Sequence, residues 1–345
     1  MGVLKAFGSA RSATPQETWL RSEGCCPILR GVSGEKVLVA FTMALGLGLL
    51  SGCSINTLAI RAVGDMLSSG GESTVFTGDD DPELMGDALP FALKLYEILL
   101  EGDPSNPALA LATGRAFISY ASAFVEGPAG ELAPDQFDLQ TAMHARAKKL
   151  FLRGREYVFS GLEIRRPGFR AAVMAKDPAP ALAMLKRDDI DYVFWAAAGW
   201  LGAFGAEPFD FSLMVTLPRA TAMLAQVEAW DEAYGQGALQ EILISFYGSA
   251  PADIGGSEKK ARVSFQKAID QSKGRHAGPY VSLASTVSVK NQDYKEFKEL
   301  LSAALAIDPD MDLSSRLQNI LSQRRAKWLL DHASDFFLET GEEGQ

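Results

Sequence analysis

The residues to weigh first for chemistry are three histidines, His144, His276 and His332, which lie far apart in this 345-residue chain. No pair has the H-E-x-x-H spacing that sets two imidazoles on one helix face to hold zinc. GVSGEK (31–36) has the wrong glycine spacing for a phosphate loop, and there is no G-x-S-x-G elbow. GDDDPE (78–83) sets Asp79, Asp81 and Glu83 at alternate positions, as a calcium loop would. Such a loop also needs glycine at its sixth position and glutamate at its twelfth, where this chain has Leu84 and Pro90. The acids read instead as a helix start, where the backbone dipole favours negative charge. With no catalytic constellation, the expectation is a protein that is not an enzyme and uses neither cofactor nor metal.

One thiol has surroundings that imply a reaction. After Lys36 comes VLVAFTMALGLGLL (37–50), and the run ends Leu50-Ser51-Gly52-Cys53. Fourteen apolar residues are too few to cross a hydrocarbon core, which needs roughly 20 as helix. They suit the h-region of a secretory signal, with Arg30 and Lys36 as its positive flank. The stretch LLSGCS resembles a bacterial lipobox: the sulfur becomes a thioether to a diacylglycerol, and small residues before it let the backbone enter the peptidase. Acyl chains add about 0.8 kcal/mol per buried CH₂, so two or three make a stable anchor. Cys53 is therefore the expected lipid-attachment residue and 1–52 the expected signal. Met1–Arg30 lacks signal character, which places the true start near Val32.

Everything after Cys53 carries 28 basic and 40 acidic residues and no cysteine. That excludes a disulfide framework or thiolate metal site in the body. A net charge of −12 there also argues against non-specific nucleic-acid binding, which needs clustered positive charge. It gives no electrostatic hold on anionic lipid, so the lipid must supply the membrane attachment. Against this background Arg146–Arg170 holds eight basic residues and only Glu156 and Glu163 as acids. Arg153, Arg155, Arg165 and Arg166 are candidates for docking an acidic partner or a carboxylate; the alternative is a solvated helix face. Phe194, Trp195, Trp200, Phe204, Phe209 and Phe211 crowd a second stretch, which reads as core or as the lining of a ligand cavity.

The elements that must position these residues are helical throughout. Asp81-Pro82-Glu83 opens a helix, with aspartate as cap and proline at its first position, and Leu84–Glu101 continues it. Apolar residues at 3–4 spacing predict Ser54–Ser69, Pro107–Val125, Asp135–Leu162 and Leu217–Tyr234. Pro180–Phe204 reads as a pair of helices broken around Asp188-Asp189. Gly237–Tyr247, Ser257–Ser272, Pro279–Val289, Tyr294–Ile307 and Leu313–Glu339 follow. VSLASTVSV (281–289) alternates briefly, but its neighbours are helical. The expected fold class is all-α, with an anchor, first helix and linker at 53–80, a helical domain at 81–339 and a flexible tail at 340–345.

ALKLYEILLEGDPSNPALALATGRAF (92–117) resembles the tetratricopeptide consensus, in which a second helix ends Asp-Pro-x-Asn and the next repeat follows at once. Ala92 falls at its small-residue position, Tyr96 at its aromatic position and Gly114 at its close-packing position. Trp195 with Gly199, Ala261 with Phe265 and Ala268, and KELLSAALAIDPD (298–310) repeat the pattern imperfectly. About four degenerate repeats with extra helices are expected. In that register Leu111, Arg115, Ile118 and Trp200 fall on first-helix positions that line the concave groove.

A lipobox followed by an all-α body with degenerate tetratricopeptide repeats resembles one family, the T-component lipoproteins associated with TRAP transporters. The resemblance runs from Cys53 to the C-terminus and is carried most specifically by LLSGCS, LPFALKLYEILLEGDPSNPALALATGRAFISYASAF and FWAAAGWLGAFG. It implies a periplasmic lipoprotein, homotrimeric, working beside a TRAP-type solute-binding protein and its permease. It further implies a pore or cavity that passes a small, partly hydrophobic ligand. A different class of function is an envelope assembly scaffold whose groove grips a peptide. Such a groove would be polar, whereas Leu111, Ile118 and Trp200 favour an apolar conduit.

Overall fold

The computed structural model describes residues 74–338. Cys53, the expected helix at 54–69 and the tail at 340–345 lie outside the described residues. Helix α1, Pro82–Gly102, starts as its sequence dictates: Asp81 Oδ1 accepts the Leu84 amide at 3.0 Å and Pro82 takes the first position. Helix α2, Pro107–Ala121, repeats the device with Asn106, which accepts the Leu109 amide at 3.0 Å. It runs on through one π turn, Ser122–Glu126. Helix α3 spans Phe137–Arg165 and α4 spans Ile190–Ala206, with short helices Phe169–Met174 and Ala179–Met184 between them. The break expected around Asp188-Asp189 is the turn Arg187–Asp189.

Next come α5 (Leu217–Trp230), α6 (Ala238–Ser249) and α7 (Glu258–Ser272). The chain continues through α8 (Gly278–Leu283, extended by a π turn Ala284–Ser288), α9 (Tyr294–Leu305) and α10 (Arg316–Asp331). There is no strand among the described residues; VSLASTVSV is helical throughout, from α8 through its π turn to Val289 just after it. The last helix is shorter than expected, ending at Asp331 before a tight turn at Ala333–Asp335.

Neighbours in sequence pack as neighbours in space. Helix α2 lies between α1 and α3, and α4 packs on α2, α3 and α5. Further along, α6 packs on α7 and α8, and α10 on α8 and α9. The closest approach is between α2 and α3. A Cβ added to Gly114 would stand 2.6 Å from the Gly154 carbonyl oxygen, and one on Gly154 would stand 2.8 Å from that of Gly114. Backbones meet there because neither residue has a side chain. The largest core runs through α1–α6 and encloses Phe117, Phe159, Phe169 and Trp200. A second forms around Phe297, Leu301, Leu329 and Phe337, and a small one around Ile244, Ala261 and Leu283 lies between α6, α7 and α8.

The last helix also returns to the first. Arg324 of α10 grips both oxygens of Glu83, and Arg316 reaches the Gly78 carbonyl at 3.2 Å and Asp80 at 3.3 Å. Arg325 donates to the Gly130 carbonyl at 2.9 Å. The acids of the 78–83 stretch thus work as caps and as ties between the two ends of the described chain.

Candidate functional site

Arg115 stands on the exposed side of α2, with its guanidinium 5.3 Å from the centre of the Trp195 ring of α4. A delocalised cation over an indole is a favourable contact, worth about 0.5–1 kcal/mol at an exposed site. No carboxylate lies within ion-pair distance of Arg115 among the described residues. Two phenols share its surroundings, Tyr96 from α1 and Tyr234 from the turn after α5. Burial raises the pKa of both, and the Arg115 charge opposes that rise. Tyr234 donates to Asp191 at 2.5 Å and packs against Phe194, ring centres 4.7 Å apart. The result is an aromatic surround holding one cation that pairs with no carboxylate among the described residues, able to receive an anionic group attached to an apolar body.

The groove residues expected from the sequence divide. Arg115 is exposed and Leu111, one turn before it, is half-buried. Ile118 is buried, its side chain seated in the notches left by Gly154 and Gly199. Trp200 corrects the expectation most sharply: it is fully enclosed, donating from Nε1 to Thr216 Oγ1 at 2.9 Å and packed edge-on against Phe159. The aromatic that α4 presents beside Arg115 is Trp195. Its position four residues before Gly199 was visible in the sequence, but only as a repeat signature. Farther along, Phe209 and Phe211 are exposed.

The basic stretch is engaged within the chain. Arg153 pairs with Glu97 and lies over Phe117 at 4.9 Å, while Glu97 also accepts the Tyr157 hydroxyl at 2.5 Å. Arg155 pairs with Glu156 at 2.8 Å and stacks on Trp200 at 4.6 Å. Arg165 and Arg166 both hold Asp189, at 2.6 and 2.8 Å, and both reach Asp188. Asp189 has no exposed surface. Burial opposes its ionisation, but Arg165, the Lys186 amide and Arg166 outweigh that and hold its carboxyl below the usual range. Arg153 ties α3 to α1, Arg165 and Arg166 tie it to the turn before α4, and Arg155 covers Trp200 within α4.

Of the three histidines, His144 contacts Glu126 at 3.0 Å and His332 stacks on Trp328. No group of three or more His, Cys, Asp or Glu side chains is placed to hold a metal among the described residues. One helical stretch, Pro107–Ala129, is long and apolar enough to cross a bilayer, yet more than half of its most apolar window is buried inside the protein.

Two comparisons with known proteins bear on the site. The TRAP transporter T-component family matches residues 78–337. An uncharacterized protein of Treponema pallidum (strain Nichols) is 35% identical over 307 residues, covering 84% of this chain and 95% of that protein.

Proposed function

Because the chain belongs to the TRAP transporter T-component family, we propose that it is a periplasmic lipoprotein acting as an accessory subunit of a TRAP-type transport system. Acylated at Cys53, it binds the solute-binding protein of that system and passes it a small, partly hydrophobic ligand through a pore or cavity. The helix pairs are degenerate tetratricopeptide repeats and the working form is a homotrimer. The protein catalyses no reaction.

The observation that carries the ligand reading is Arg115. It is a cation with no acid partner among the described residues, set over Trp195 and bordered by two phenols. Apolar and aromatic surfaces with a single placed charge suit a carboxylate on a hydrophobic body, because the rings take the body and the guanidinium takes the head.

The partner reading is tested by sedimentation velocity on the detergent-purified protein, alone and mixed with the solute-binding protein encoded beside it. A trimer that shifts to a larger complex of fixed stoichiometry is the expected result. A monomer that ignores that partner would overturn the proposal. Labelling with radioactive palmitate in wild type but not in Cys53→Ser checks the anchor.

A further inference from the structure

A pocket of about 210 Å³ opens where three inter-helix connections meet. Gly235 and Gln236 come from the turn before α6, His276 from the loop before α8, and Ser314, Ser315 and Gln318 from the start of α10. At ~30 Å³ per water the space holds about seven waters; covalently bonded atoms pack closer, so a short polyol or a monosaccharide fits.

His276 is fixed from both sides. The buried Asn319 accepts the Ala277 amide at 2.9 Å and donates to the Arg275 carbonyl at 2.9 Å, so the residues on either side of His276 are pegged to α10. Yet the imidazole makes no hydrogen bond among the described residues. Burial favours its neutral form, which offers one donor and one acceptor. Gln236 supplies the opposite rim. Its φ is 53°, in the left-handed region, between Gly235 at 63° and Gly237 at 107°. Glycine would take that backbone without strain. Gln236 takes it instead, exposed at the rim of the pocket, where its side-chain amide is open to water or to a bound molecule.

The fixed charges beside the pocket are one of each sign, and Glu241, its pKa raised to about 7 by burial, is mostly protonated below that pH. Arg275 and Asp312 stand 4.0 Å apart and act on His276 in opposite senses. The carboxylate of Glu241 meets the pocket wall at Gln318, whose amide donates to it at 3.2 Å. What remains at the wall is a set of neutral donors and acceptors. Such a set does not repay the desolvation of an ion but satisfies the hydroxyls of an uncharged molecule.

We propose that this pocket binds a small neutral polyhydroxyl compound, whose hydroxyls are received by His276, Gln236 and Gln318. The turn Tyr234–Gly237 thus serves two sites, giving Tyr234 to the Arg115 surround and Gln236 to the pocket. The pocket does not depend on the transport reading.

The test is saturation-transfer NMR and calorimetry on the full-length protein in a sugar-free detergent. The probes are D-mannitol, D-glucose, myo-inositol and glycerol, with sodium acetate and ethylammonium chloride as charged comparisons. Binding of at least one neutral probe is expected, weakened at least tenfold in His276→Ala and in Gln236→Gly. Gln236→Gly relieves the left-handed strain and is expected to melt no lower than wild type, so its loss of binding cannot be loss of fold. Three results would overturn the proposal: no neutral probe bound, binding that both variants leave unchanged, or binding confined to acetate or ethylammonium.

Discussion

Arg165 Nε lies 2.6 Å from Asp189 Oδ1, and the carboxylate it grips has no exposed surface at all. The pair joins the last turn of α3 to the turn that starts α4, across 24 residues of chain. A buried ion of this kind is held by its partners, so removing one partner leaves the other stranded. Asp189→Ala is therefore expected to destabilise the fold by about 3–5 kcal/mol, read from urea unfolding. The pH dependence follows from the depressed carboxyl pKa. Between the folded and unfolded pKa values the unfolded state binds the extra proton, so the stabilisation is full above the ordinary aspartate range. It is lost as pH falls through the folded value. Asp189→Asn should flatten the acid limb of the stability curve; an acid limb as steep as wild type would contradict this assignment.

Glycines on two helices make opposite predictions. Gly154→Ala adds a Cβ 2.7 Å from Ile118 Cγ1 and 2.8 Å from the Gly114 carbonyl oxygen, an overpacking that costs about 1–3 kcal/mol. Gly205, inside α4, has nothing within 4 Å of an added Cβ. Gly205→Ala is expected to stabilise by about 0.5–1 kcal/mol through the helix backbone alone. Melting temperatures moving down in the first and up in the second would check both at once.

The helices were legible because their punctuation is local. Asp81 with Pro82, and Asn106 with Pro107, mark two starts that the structure repeats to the residue. The facing of α4 was not legible. Eleven of its seventeen residues are buried, so no polar stripe tells which side looks outward, and a repeat register alone turned Trp200 toward a groove. The pairing of the basic stretch was not legible for another reason. Sequence shows that Arg165 and Arg166 are concentrated charge, but not that Asp188 and Asp189 fold back onto them. The pocket residues Gln236, His276 and Gln318 come from two separate connections and the first turn of α10, and no spacing rule could gather them. Arg115 was found from sequence, whereas its Trp195 partner depended on knowing how α2 and α4 cross.

Replacing Arg115 tests the ligand surround without threatening the fold, since the side chain is exposed and makes no ion pair among the described residues. With sodium octanoate as the probe, Arg115→Gln should bind at least tenfold more weakly, the loss of one charge-assisted contact of about 1.5–3 kcal/mol. The chemical midpoint of unfolding should stay within about 0.5 kcal/mol of wild type. Titration calorimetry decides the matter: equal octanoate affinity in the two proteins would remove Arg115 from the ligand reading.

Glu241 should make the protein less stable as pH rises, the reverse of Asp189. It sits in the first turn of α6 with its carboxylate against Gly278, and burial pushes its pKa up to about 7 from an ordinary 4.5, while the Gln318 amide opposes the shift. No charged side chain contributes to that shift. From about pH 4.5 to 7 the folded protein keeps a proton that the unfolded chain has released. Stability attached to this group is therefore present at low pH and declines across that window, with no further change above it. A shift of this size corresponds to on the order of 3 kcal/mol for a fully desolvated group, and less where Glu241 keeps contact with water. Glu241→Gln has nearly the shape of the protonated acid and never ionises. Its stability relative to wild type should be near zero at pH 4 and grow toward pH 7.5. Urea titrations of both proteins at half-unit steps give that difference directly. A difference that stays constant across the window would mean that Glu241 ionises as freely in the folded protein as in the unfolded chain.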